Sequence, residues 1–226
     1  MGWHDWVRTA EIEPSIYAAD FSRLGVQIET LMQAGARIFQ FDVGDGHFVE
    51  PITIGPIVLK SISPIVHRLG GALDCHLMVE SPEKHFRAIA EAGGDSVTVH
   101  YEACEDLPGV IEQARELELG VGVAFNPETE PDDVVAVAGE LVDLVLCMSI
   151  HPGYSGQPFM PESIPRVRRL RELLPAGVHV QVDGGVGHDN AAEIREAGAN
   201  LLVAGTSIFG QEDIAETYRR LAQAIS

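Results

Sequence analysis

Short apolar runs rich in β-branched residues recur along the chain: Glu11 to Ser15, Ile38 to Val43, Ala72 to Val79, Ser96 to Val99, Val121 to Ala124, Leu144 to Met148, Val178 to Asp183 and Leu201 to Ala204. Runs this short, bounded by turn residues, read as buried strands. Between them the apolar spacing lengthens to three and four residues, as in Leu24, Ile28, Leu31 and Met32, in Ile164, Val167, Leu170 and Leu174, and in Ile214, Tyr218, Leu221 and Ile225. That period predicts helices with one buried face. Pro82 after Ser81 and Glu162 after Pro161 predict helix starts. Ala-Gly pairs beginning at Ala34, Ala92 and Ala197 predict helix ends, because glycine accepts the left-handed cap.

Eight strand–helix repeats in 226 residues predict an α/β chain forming a single parallel eight-stranded (β/α)8 TIM barrel over residues 1–226, with 1–11 as an N-terminal extension. No Pro-, Gly- or Ser-rich linker or like-charge block separates two cores. The alternative, a doubly wound open sheet, needs a glycine-rich turn after its first strand to bind a dinucleotide, and Ser15 to Asp20 contains no glycine. In a barrel the C-terminal strand ends share one face, which brings Ser15, Asp42, His76, His100, Met148 and Asp183 to the side where catalytic groups sit.

Charge narrows the partners. Fifteen Lys and Arg against 34 Asp and Glu give a net charge of −19, spread along the chain. Nucleic acid and anionic membranes reward positive patches, so neither is expected, and an anionic substrate has to be held by local donors. Cys75, Cys104 and Cys147 have no metal-type spacing and fit buried thiols in a reducing compartment. The N-terminus lacks an apolar signal core, and no apolar stretch is long enough to span a bilayer, so a cytoplasmic protein is expected. Trp3, His4 and Trp6 in the extension are expected to cover the barrel bottom or a neighbouring subunit.

Asp42 and Asp183, on the second and seventh strands, would reach one small substrate from opposite sides. Two carboxylates so placed suit removal and return of a proton at one carbon, as inversion of a centre beside a carbonyl requires. Either aspartate also fits a helix cap or an ion pair, and His76 fits a satisfied core histidine. Asp42, His76 and Asp183 together form a possible ligand set for Zn²⁺, Fe²⁺ or Mn²⁺. The loops HPGYSGQ (His151 to Gln157), DGGVG (Asp183 to Gly187) and AGTSIFG (Ala204 to Gly210) follow strands six to eight, where barrels often bind phosphate through backbone N–H groups.

These segments together resemble the ribulose-phosphate 3-epimerase family over about Glu13 to Phe209. The likeness rests on PSIYAADF (Pro14 to Phe21), DVGDGHFV (Asp42 to Val49), TIGP (Thr53 to Pro56), DCHLMVE (Asp74 to Glu80), GVAFNPET (Gly122 to Thr129), MSIHPGYSGQPF (Met148 to Phe159) and VDGGV (Val182 to Val186). The resemblance implies epimerisation at C3 of a ketose phosphate, foremost D-ribulose 5-phosphate to D-xylulose 5-phosphate. Asp42 and Asp183 would be base and acid, and with His76 would bind one divalent ion (Zn, Fe or Mn). Ser15 and His76 would touch the sugar. Gly153, Tyr154, Ser155, Gly156, Gly184, Gly185, Gly205 and Thr206 would hold the phosphate, and Met78 and Met148 would line the cavity. A homo-oligomer is expected on the same ground.

The chain departs from the family pattern at informative places. Gln40 stands where a fourth metal-binding histidine is usual, Gly44 where a methionine is usual, and PGYSGQ where PGFGGQ is usual. An amide oxygen is a weaker and harder donor than imidazole, so affinity for Zn²⁺ should fall. Two alternatives follow: an epimerase for a hexulose or branched-sugar phosphate, or a phosphosugar-binding barrel whose catalysis is impaired by Gln40.

Overall fold

In the computed structural model, residues 2–226 are described; Met1 and the side chain of His4 lie outside the described residues. Eight strands form one parallel sheet: β1 (Glu11–Pro14), β2 (Ile38–Gly44), β3 (Ala72–Met78), β4 (Ser96–His100), β5 (Gly120–Phe125), β6 (Leu144–Met148), β7 (His179–Asp183) and β8 (Leu201–Ala204). Each pairs in parallel with its sequence neighbour, β1 pairs with β8, and a bridge from Ser15 to Gln40 joins β1 to β2 and closes the ring. This is the (β/α)8 barrel, and the open sheet is set aside.

The helices are α1 (Trp3–Trp6), α2 (Leu24–Ala34), α3 (Pro56–Arg68), α4 (Phe86–Ala92), α5 (Leu107–Glu116), α6 (Pro131–Ala138), α7 (Ser163–Leu173), α8 (Ala191–Glu196), α9 (Thr206–Phe209) and α10 (Ile214–Ala224). The Ala-Gly ends behave as the sequence suggests: Gly35 and Gly93 cap α2 and α4 with φ of 118° and 90°. The start at Pro82 differs. Pro82–Lys84 is a single 3-10 turn after Ser81 at φ 52°, and α4 proper begins at Phe86.

Strand alternation divides the core in two. Phe39, Phe41, Cys75, Val97, Val99, Val145 and Val182 face outward into the layer between sheet and helices. A second cluster fills the barrel's interior, from Ile38, Ala72, Leu144 and Leu201, each the first residue of its strand, up to Met148 and Ile150. Trp3 and Trp6, ring centroids 5.2 Å apart, belong to this cluster and close the barrel at its N-terminal end. Gly120 makes the fit possible, since a Cβ there would lie 2.8 Å from Trp3 Nε1.

Candidate active site

Five strands carry a polar residue, an outward apolar or cysteine residue or proline, and a second polar residue. They are Glu13 and Ser15, Gln40 and Asp42, Asp74 and His76, Thr98 and His100, and Gln181 and Asp183. A period of two sends both polar members of each pair into the barrel. The lower members from β1, β3 and β7 meet: Gln181 Nε2 donates to Glu13 Oε2 at 2.6 Å and to Asp74 Oδ2 at 3.3 Å, while Ser96 and Thr98 hydroxyls donate to Asp74. Glu13 is fully buried, and burial first, then the charge of Asp74, lifts its carboxyl well above the ordinary range.

One layer higher lie the groups expected to be catalytic. Gln40 Nε2 donates to Asp42 Oδ1 at 2.7 Å and to Asp183 Oδ2 at 2.9 Å, so one amide group bridges the two carboxylates. His76 Nδ1 lies 3.0 Å from Asp42 Oδ1 and 3.7 Å from Asp183 Oδ2. The Ser15 hydroxyl donates to Asp42 Oδ2 at 2.6 Å. Asp183, with 18% of its side chain exposed, is the more open carboxylate; Asp42 has 6%. Burial and the neighbouring Asp42 charge raise the Asp183 carboxyl to about 7. For His76, burial opposes the charged form, but the hydrogen bond and charge of Asp42, with the charges of Asp183 and Asp74, outweigh it and raise the imidazole. His100 Nε2 meets His76 Nε2 at 2.9 Å, and burial lowers His100 to about 4.

Asp42, His76 and Asp183 offer donor atoms that all lie within 4.8 Å of one another. Two anionic oxygens and an imidazole nitrogen at that spacing fit a divalent cation. Gln40 adds to the fit: its Oε1 is buried without a hydrogen-bond partner, and a half-turn of the amide would bring that oxygen to the carboxylates in place of the NH₂ group.

Above this cluster opens a cleft of about 520 Å³ including its mouth. Ser15, Asp42, Met78, Met148, Gly153, Tyr154, Ser155, Gly156, Asp183, Gly184, Gly185, Gly205 and Thr206 line it, so thirteen of the residues singled out in the sequence share one wall. His76 does not. It is fully buried beside the carboxylates. Tyr17, Ile150, Val186 and Val203 also line the cleft and were not singled out, because each reads as an ordinary core or turn residue. Opposite the carboxylates the glycine loops crowd together. Gly184 has φ 120°, and a Cβ on it would lie 2.4 Å from Ile150; Gly185 has φ 65° and backs onto the Phe159 backbone. Gly44 creates no gap in the wall: Val49, Pro51 and Thr53 fill the space around its Cα.

The arrangement sets two carboxylates and glycine loops with the hydroxyl-bearing residues Tyr154, Ser155 and Thr206 around one cleft. A family model described as "Ribulose-phosphate 3 epimerase family" matches residues 11–209. The ribulose-phosphate 3-epimerase of Bacillus subtilis (strain 168) is 39% identical over 207 residues, covering 90% of this chain and 94% of the relative. That of Synechocystis sp. (strain ATCC 27184 / PCC 6803 / Kazusa) is 41% identical over 210 residues, covering 91% and 90%. Among solved structures, orotidine 5'-phosphate decarboxylase from Pyrococcus horikoshii OT3 superposes with a TM-score of 0.68 at 18% identity, over 95% of this chain and 98% of that one. That likeness concerns the fold alone.

Proposed function

The chain belongs to the ribulose-phosphate 3-epimerase family, isomerases that act on carbohydrate phosphates, and from that premise we propose that it inverts C3 of D-ribulose 5-phosphate to give D-xylulose 5-phosphate. The observation that carries this reading is the pair Asp42 and Asp183, delivered by β2 and β7 to one cleft and bridged there by a single amide. One carboxylate takes the C3 proton from one face of the substrate, leaving an enediolate. The other returns a proton to the opposite face, and the centre is inverted. The reverse reaction exchanges the roles.

The environments support this division. Asp42 accepts a hydrogen bond on each oxygen, from Ser15 and from Gln40, which fixes its orientation toward the cleft. Asp183, with its carboxyl raised to about 7, passes between its acid and carboxylate forms near neutral pH, as a group that gives and takes one proton must. Ser15 keeps Asp42 oriented, and Met78 and Met148 exclude water from the reacting carbons with polarizable thioethers. The loops at Gly153–Gly156, Gly184–Gly185 and Gly205–Thr206 present backbone N–H groups and hydroxyls to the phosphate, which lets a strongly acidic chain hold an anion. Asp42, His76 and Asp183 would hold a divalent ion, which when bound supplies positive charge against the oxygens of the enediolate. In this reading the protein works in the cytoplasm as a homo-oligomer of one-domain subunits.

The test is incubation with ribulose 5-phosphate in D₂O, with and without Zn²⁺, Mn²⁺ or Fe²⁺. Deuterium should appear at C3 as xylulose 5-phosphate forms. A second reading, a phosphosugar-binding barrel without turnover, draws on the Gln40 amide lying between the carboxylates; substrate binding with no exchange under any metal would select it.

A further inference from the structure

A line of buried polar groups leads from the cleft away from the substrate and plays no part in the proton transfers above. His100, the last residue of β4, is fully buried, and its ring lies nearly parallel to that of His76, 23° apart with centroids at 5.0 Å. The two rings meet nitrogen to nitrogen, Nε2 to Nε2 at 2.9 Å. Two neutral imidazoles that share a contact through the same atom type can place only one hydrogen in it. One ring donates and the other accepts.

The far side of His100 decides which. Its Nδ1 lies 3.4 Å from Glu102 Oε2, a contact short of a formed hydrogen bond, and the Asn126 Oδ1 flanks the same ring; both Nδ1 and Oδ1 are buried without a hydrogen-bond partner. Glu102 is pinned as an acceptor, because its Oε1 receives the backbone N–H of Asn126 at 2.8 Å and the hydroxyl of Thr129. A bare nitrogen lone pair facing these oxygens would be repelled, so the His100 proton sits on Nδ1 and its Nε2 is bare. His76 must then carry hydrogen on its own Nε2. The remaining position, Nδ1, faces Asp42 and Asp183; in the metal-free site a proton there can bond Asp42, and a cation that displaces that proton meets a bare Nδ1. A lone pair aimed at two carboxylates is favourable only with a positive charge between them.

We propose that His100 and Glu102 are positioning residues that keep the His76 proton on Nε2 and so make Nδ1 the atom that receives a divalent ion. The inference rests on the metal-binding reading of the site. Phe48, whose ring centroid is 4.7 Å from that of His100, covers the pair. Partners that orient a ligating histidine commonly change metal affinity by about 10- to 100-fold when altered.

The test uses full-length protein with ¹⁵N-labelled histidine and Zn²⁺ as the probe. Imidazole ¹⁵N shifts of the metal-free protein should put the His100 proton on Nδ1. Zn²⁺ affinity, read by competition with a chromophoric chelator, should fall about 10- to 100-fold in Glu102→Gln. There the amide oxygen can keep the bonds to Asn126 and Thr129, which turns NH₂ toward His100, reverses both rings and puts hydrogen on His76 Nδ1. A His100 proton on Nε2 in the unaltered protein, or a reversed tautomer with unchanged Zn²⁺ affinity, overturns the proposal. Failure of the unaltered protein to take up Zn²⁺, Mn²⁺ or Fe²⁺ while showing the expected tautomer overturns the metal reading and leaves the hydrogen-bond order standing. Should Glu102→Gln not fold, His100→Gln and His100→Ala give a second comparison. The first still offers an oxygen to His76 Nε2–H and should retain Zn²⁺ better than the second; equal affinities overturn the positioning role.

Discussion

The two ends of the barrel interior are built on opposite principles. At the N-terminal end Ile38, Ala72, Leu144 and Leu201 meet the indoles of Trp3 and Trp6 in a sealed apolar layer. At the C-terminal end, Asp42 and Asp183 face each other across one amide, with His76 pressed against them; each end also buries one partnerless polar atom, Trp3 Nε1 below and Gln40 Oε1 above. The first arrangement favours folding through area removed from water. The second costs stability, since two carboxylates are buried side by side. Chemistry therefore occupies the end that the rest of the barrel has to support.

The sharpest way to break this contrast is to neutralise one carboxylate. Asp42→Asn or Asp183→Asn should lower C3 exchange by about 10²- to 10⁴-fold. The melting temperature should hold or rise, because one of two mutually repelling groups is gone; a large loss of stability would show the pair to be structural. At the opposite end, Trp3→Ala should cost about 3 to 5 kcal/mol, read by urea unfolding, because it empties the layer that closes the barrel. Its kcat/KM should remain within about twofold while the protein is folded, an expectation that a proportionate loss of activity would contradict.

Gln40→His probes the cleft end more gently. Exchange of an amide for imidazole should raise Zn²⁺ affinity by about tenfold or more, roughly 1.4 kcal/mol; equal metal content in the two proteins would show that Gln40 does not limit binding. The smallest effect concerns the layer between the two ends. The raised Glu13 carboxyl keeps its proton in the folded protein at pH values where the unfolded chain, with an ordinary value near 4.5, has lost it. Stability from this group is therefore highest at low pH and declines as pH rises above about 4.5 toward the folded-state value. Glu13→Gln should shrink the fall in melting temperature between pH 5 and pH 8, and an unchanged profile would show that Glu13 is not its source.

Much of the contrast was legible before any fold was known. The inward pairs, such as Gln40 with Asp42 and Gln181 with Asp183, stand two residues apart within apolar runs, and strand geometry alone sends both members to one side. The start of α4 was harder to read, because the proline that begins a helix serves equally well in the 3-10 turn at Pro82–Lys84. The complete burial of His76 beside Asp42 was not legible, because an imidazole at a strand end fits an open cleft as well as a closed layer. Tyr17 and Ile150 lie inside motifs of the family likeness, but nothing in their residue type marked them as lining the cleft.

The sequence by itself determined the alternation of strands and helices, the face on which the polar residues gather and the glycines that let loops pack closely, because these follow from residue spacing and backbone freedom within a few neighbours. Closure of the ring decided the rest: the amide of Gln40 between two aspartates from distant strands, the pairing of His76 with His100, and Trp3 against Gly120. Those contacts join residues far apart along the chain, and their hydrogen-bond order depends on distances and burial that no local pattern encodes.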